Sequence, residues 1–178
     1  MNYISVKLLI IVGAYFGYLK CAHGQIVDRI KYYDVRGANT REFVRNWYAI
    51  QQKQGFAGYC LWQPFMKHGW QQTPWGVQAT RLDLKVQVTL TLPRVHYPSD
   101  MPLETRRMFS RQIQEIYNHE YTHRQYKVDF YRQFHRDFSR LGTKRTRSEL
   151  YEASNRLLWK LYNETKAKDA LFDRNGHQ

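Results

Sequence analysis

Residues 82–93 read LDLKVQVTLTLP. Leu82, Leu84, Val86, Val88, Leu90 and Leu92 alternate with polar residues without a break. Successive side chains of a strand point to opposite faces, so a strict period of two puts one face on a core and the other toward solvent. The stretch predicts a β-strand. Pro93 is expected to end it, because proline has no N–H to give a ladder.

Upstream, IKYYDVRG at 30–37 is rich in tyrosine and β-branched residues and closes on Gly37, which reads as a second strand. ANTREFVRNWYAIQQKQG follows. Asn39 or Thr40 can cap it, Glu42 stands at capping-box spacing from Asn39, and Phe43, Trp47 and Ile50 recur at helical spacing. The aromatic stretch 56–76 predicts a strand near Tyr59–Gln63, a turn at Lys67-His68-Gly69 and a further strand near Trp70–Thr73.

Downstream, RVHYPSDMP is a loop into a long helix expected from about 103 to 140, stopping near Gly142. Ser99 or Asp100 can cap it, Pro102 suits its first turn and Glu104 its positive end. A second helix is expected from Ser148 to about Asp169, with Leu150, Leu157, Leu158, Leu161 and Tyr162 on its inner stripe and DALFDRNGHQ as a tail. Strands come early and helices late. The fold class is therefore α+β: a small antiparallel or mixed N-terminal sheet packed on a long helix, with a C-terminal helix beside it.

The chain has 178 residues. Lys7 precedes an apolar run, Leu8–Tyr18, of signal-peptide length, and Ala22-His23-Gly24 supplies small residues where a signal peptidase needs them. Residues 1–24 are thus expected to be a signal peptide cleaved before Gln25, leaving 25–178 as one exported domain, periplasmic or extracellular. No later stretch approaches the length of a membrane span. Cys21 falls in the signal segment, so Cys60 has no partner for an internal disulfide, and a cysteine zinc cluster is excluded.

The net charge is +13, concentrated after residue 104. Such a surface suits an acidic polymer. A phosphate-binding glycine loop, a zinc-finger spacing and an aromatic RNA-binding pattern are all missing, which argues against a specific nucleic-acid module.

Within the long helix, residues 119–123 read HEYTH. His119 and His123, four apart, point from one helix face a turn apart, and that spacing lets two imidazoles reach one zinc ion. Glu120 lies about 100° round the helix, where it can serve as general base without being a ligand. The same face carries Gln112, Ile116, Tyr126 and Phe130, so the pair is expected against apolar walls. A catalytic zinc needs a third protein ligand. His135 is about 18 Å along the same helix and cannot join. The candidates left are His177, just past the following helix, and Glu149 or Glu152 on that helix.

The ordered set resembles a known family. A YYDVRG strand, a helix, a long alternating strand ending TLP and a HExxH helix are similar to the bacterial predicted secreted Zn-dependent proteases (domain of unknown function 922), over about residues 30–177. That family's last helix carries an Asn, followed by a Tyr-Asp element and a His-Gly. Asn155, Phe172-Asp173 and His177 stand in those places. The resemblance implies His177 as third ligand. Relatives carry a cysteine pair where this chain has Val77 and the segment Thr146–Ser148.

The reading that follows is a zinc peptidase with His119, His123 and His177 as ligands and Glu120 as general base. Its substrates would be peptide, protein or cell-wall peptide. The rival reading is a non-catalytic basic envelope protein that binds an acidic polymer or nucleic acid, with HEYTH structural or metal-scavenging.

Overall fold

The computed structural model describes residues 25–54 and 57–175. The expected signal peptide and His177 lie outside the described residues. The order of elements is β1 (Gln25–Val35), α1 (Thr40–Gln54), β2 (Tyr59–Thr73), β3 (Gly76–Val95), α2 (Leu103–Phe138) and α3 (Arg147–Asn175). The class is α+β, as the sequence pattern requires.

The alternating stretch is the middle of the sheet. The strand order is β1-β3-β2, with β1 parallel and β2 antiparallel to β3, so the sheet is mixed. Leu82, Leu84, Val86, Val88, Leu90 and Leu92 form one buried row against Phe130, Phe134 and Phe138 of α2 and Leu158 and Leu161 of α3. Burying each such side chain contributes roughly 1.5–3 kcal/mol, so this row is a large share of the drive to fold. A second cluster, Val35, Phe43, Trp47, Met101 and Phe109, locks α1 and the first turns of α2 to the end of β1.

Several local expectations are corrected. Pro93 does not end β3, which continues to Val95. The β2 ladder stops at Thr91, and β1 alone pairs beyond it, so proline's missing donor falls where the ladder has one neighbour. The turn placed at Lys67-His68-Gly69 does not exist. These residues pair with Asp83, Leu82 and Arg81 inside one continuous β2, and only a register shift between Gly69 and Trp70 marks the place. The actual turn is Pro74-Trp75. There the Thr73 hydroxyl donates to the Gly76 carbonyl at 2.9 Å, and Gly76 takes a φ of +130°.

Asn39 and Glu42 cap α1 as their spacing predicts, whereas Asp100, expected to cap α2, serves α1 instead. Asn39 Oδ1 accepts the Glu42 N–H at 2.9 Å, and Glu42 reaches back to the Ala38 N–H at 3.0 Å. Asp100 accepts from the Thr40 N–H at 3.1 Å, so it serves the start of α1. Pro102 occupies the N-cap of α2, with no side-chain cap bond.

The largest correction lies at the C-terminus. DALFDR is not a tail but the last turns of α3, which runs to Asn175. Near the other end of α3, Val77 and Lys144 exchange two backbone hydrogen bonds of 2.6 and 2.8 Å. This bridge stands at the place where the resemblance implies a cysteine pair, and it joins the start of β3 to the turn before α3.

Candidate metal centre

The α2–α3 pair runs antiparallel, and this brings the end of α3 to the middle of α2. On α2, His119, His123 and Lys127 follow one another at intervals of four residues. On α3, Asp169 and Asp173 do the same. Residues four apart on a helix share a face, so two polar stripes meet across the helix pair.

The contacts are mutual. His119 Nε2 lies 3.1 Å from Asp173 Oδ1, His123 Nε2 lies 2.8 Å from the same oxygen, and the two Nε2 atoms are 3.0 Å apart. Among the described residues, His119, His123 and Asp173 are the group whose ligand atoms converge in this way. Nitrogen and oxygen ligands about 2.0–2.2 Å from a tetrahedral zinc stand roughly 3.3 Å apart. The observed triangle is slightly tighter than that, and its donor set of two imidazoles and one carboxylate suits zinc.

A second layer sets the histidine. His123 Nδ1 lies 2.8 Å from Asp169 Oδ1. An ionised carboxylate can only accept, so without metal Nδ1 donates to Asp169 and Nε2 to Asp173; a metal at the triangle would take the place of the Nε2 proton and leave Nδ1–H on Asp169. Asp169 is in turn ion-paired with Lys127, whose side chain is 1% exposed. Lys127 also sits over the Trp62 and Tyr126 rings. The chain Lys127–Asp169–His123 thus holds one imidazole from behind. Burial pushes the His123 pKa down, but hydrogen bonds and charge from Asp169 and Asp173 outweigh it, so the net shift is upward. Phe172 stacks on His119 at 4.7 Å and meets His123 edge-on at 5.3 Å, walling the triangle.

Glu120 is buried beside this group. Burial pushes its pKa up to about 7, with His123 opposing and Asp173 reinforcing. Gly58 makes room for it: a Cβ there would lie 2.7 Å from both Glu120 Cγ and Oε1 and 2.8 Å from Ile116. Tyr33 is close enough for the Glu120 charge to help raise its own pKa to about 12, after burial and Tyr117. Its hydroxyl donates to the Ala57 carbonyl.

Of the residues expected from sequence, His119, Glu120 and His123 are brought together. Glu149 and Glu152 are not at this centre. They lie 20 and 17 residues before Asp169 on α3, about 30 and 26 Å away by helical rise. Glu149 closes the start of α3, taking the Arg145 N–H at 3.0 Å, and Glu152 meets Ser148 and Arg156. His135 is half-buried against Tyr131 rather than solvated. Asn155 is also remote from the centre. Asp169 and Lys127 were missed, and Asp173 was noticed only through the resemblance. The matching interval of four between Asp169 and Asp173 was the signal that could have found them.

A family model described as "Bacterial protein of unknown function (DUF922)" matches residues 30–178. No curated protein and no solved structure matches the chain.

Proposed function

The chain belongs to the DUF922 family of bacterial proteins, and from that premise and the geometry of the centre we propose that it is a zinc-dependent peptidase. The observation that carries the reading is the convergence of His119 Nε2, His123 Nε2 and Asp173 Oδ1 within about 3 Å of one another, with buried Glu120 adjacent. His119, His123 and Asp173 would hold the zinc, with Asp173 in the role that the family resemblance gives to His177.

When bound, zinc would polarise the scissile carbonyl and make water a nucleophile near neutral pH. The rest belongs to the chain. Glu120, buried beside the metal ligands, takes a proton from the attacking water and returns it to the leaving amine. Asp169 and Lys127 fix the tautomer and orientation of His123. Phe172 and the apolar residues beside it limit the access of bulk water. Peptide, protein or cell-wall peptide is the substrate class of this reading, and export directed by residues 1–24 would deliver the protein to the periplasm or beyond.

Purified mature protein and its Glu120→Gln variant test the proposal together. The variant should keep its zinc and lose hydrolysis of a peptide library. A variant that still cleaves at the wild-type rate would overturn the role of Glu120, and a zinc-loaded wild type that cleaves no peptide would overturn the peptidase reading.

A further inference from the structure

A separate cavity of about 440 Å³ opens at the other end of α3, between that helix and β2. It has the size of a small-molecule site. Its polar lining is Lys67, His68, Arg147 and Asn155; Trp70, Tyr151, Met66 and leucines make up the rest, and no carboxylate lines it.

Three features point to a ligand. The Arg147 guanidinium lies over the Trp70 ring, its Cζ 3.2 Å from the ring centroid. Stacking occupies its face and leaves its N–H edge free, the arrangement that receives a carboxylate with two parallel hydrogen bonds. Arg147 has no acidic partner among the described residues. Both ring nitrogens of His68 are buried and have no hydrogen-bond partner among the described residues. An imidazole always carries at least one N–H, and burying it unpaired is unfavourable.

We propose that this cavity binds an organic carboxylate with an aromatic body, the carboxylate on Arg147 and Asn155, the covered His68 ring turning to meet it, and the aromatic ring among Tyr151, Met66 and Leu158. The chemistry is shared by a free aromatic acid and by the C-terminal residue of a peptide ending in phenylalanine. The site shares no residue with the zinc centre, since its α3 lining, Arg147 to Leu158, lies about 33 to 17 Å before Asp169 by helical rise.

The test follows the His68 ring signals of the full chain by NMR during titration. The probes are 3-phenylpropionate, its neutral amide, and a short acetylated peptide ending in phenylalanine with a free or an amidated C-terminus. Glu120→Gln protein is used for the peptide arm, so that cleavage cannot intervene. The expected result is a saturable shift with the acids, weakened about tenfold or more in the amides and in Arg147→Gln protein. Asn155→Leu serves as a second variant should Arg147→Gln fail to fold, and it too should weaken binding. Tighter binding of the peptide acid identifies a chain terminus as the ligand, and tighter binding of phenylpropionate identifies a free acid. Equal affinity for acid and amide, or no saturable shift up to ~10 mM, overturns the proposal.

Discussion

The two ends of α3 gather polar side chains of opposite kinds. At the end facing the middle of α2, Lys127 meets Asp169, Asp169 meets His123, and Asp173 meets both histidines. This end gathers three carboxyls, Glu120, Asp169 and Asp173, round two imidazoles and one lysine. At the other end Arg147 stands exposed over Trp70 beside His68, with no carboxylate among the described residues of the lining. Burial does not separate the two ends; the kind of side chain does, carboxyls and imidazoles at the first and a guanidinium at the second. The first end suits a dication, the second an anion.

The comparison can be broken most severely at Glu120. If it is the general base, Glu120→Gln should lower the hydrolysis rate about 10²–10⁴-fold in a peptide assay, with zinc retained. A smaller loss would mean that the first end is a binding site rather than a catalytic one.

Lys127→Met tests whether the network is held together by its one buried cation. Removing it leaves Asp169 without its main partner, and breaking such a pair costs about 3–5 kcal/mol. Urea unfolding of metal-free protein should show a loss of that order. A loss under ~1 kcal/mol would say that Asp169 is satisfied without the lysine.

Asp169→Asn is milder. It keeps the shape but removes the charge behind His123, and zinc affinity should fall about 10–100-fold in competition with a chelator. Unchanged affinity would remove Asp169 from the account of the site.

The pH dependence of metal-free protein sharpens the same contrast. Glu120 has its pKa raised to about 7 by burial. The folded state therefore holds a proton that the unfolded chain releases near its ordinary carboxylate range. That contribution to stability is fully present below about pH 4.5 and is lost as pH rises through about 7, with a slope of up to ~1.4 kcal/mol per pH unit. Glu120→Gln should abolish this slope in denaturation measured across that window.

The smallest effect is expected at Gly58→Ala. The added methyl meets Glu120 and Ile116 at under 3 Å, so the carboxylate must swing aside. Turnover should fall while zinc content is unchanged; equal turnover would mean that Glu120 adjusts without cost.

What the sequence made legible was local. The alternation of Leu82 to Leu92 needs only neighbouring residues to show a strand, and HEYTH needs only five residues to show two histidines on one face. The long strand β2 was not legible, because Pro64 and Gly69 look like breaks. Both are tolerated where β2 forms an edge of the sheet, with Gly69 at its register shift. The end of α3 was hidden by a polar composition that reads as a loose tail. The partners of the histidines lie 46 to 54 residues away in sequence, so they depend on how two helices pack. Lys127 looks like any solvated helix lysine until α3 covers it.

The most direct measurement is the zinc content, by elemental analysis, of refilled wild-type protein beside Asp173→Ala and His177→Ala. The account predicts about one zinc per chain in the wild type and little in Asp173→Ala. A wild type without zinc, or an Asp173→Ala protein that keeps it in full while His177→Ala loses it, would contradict the centre described here.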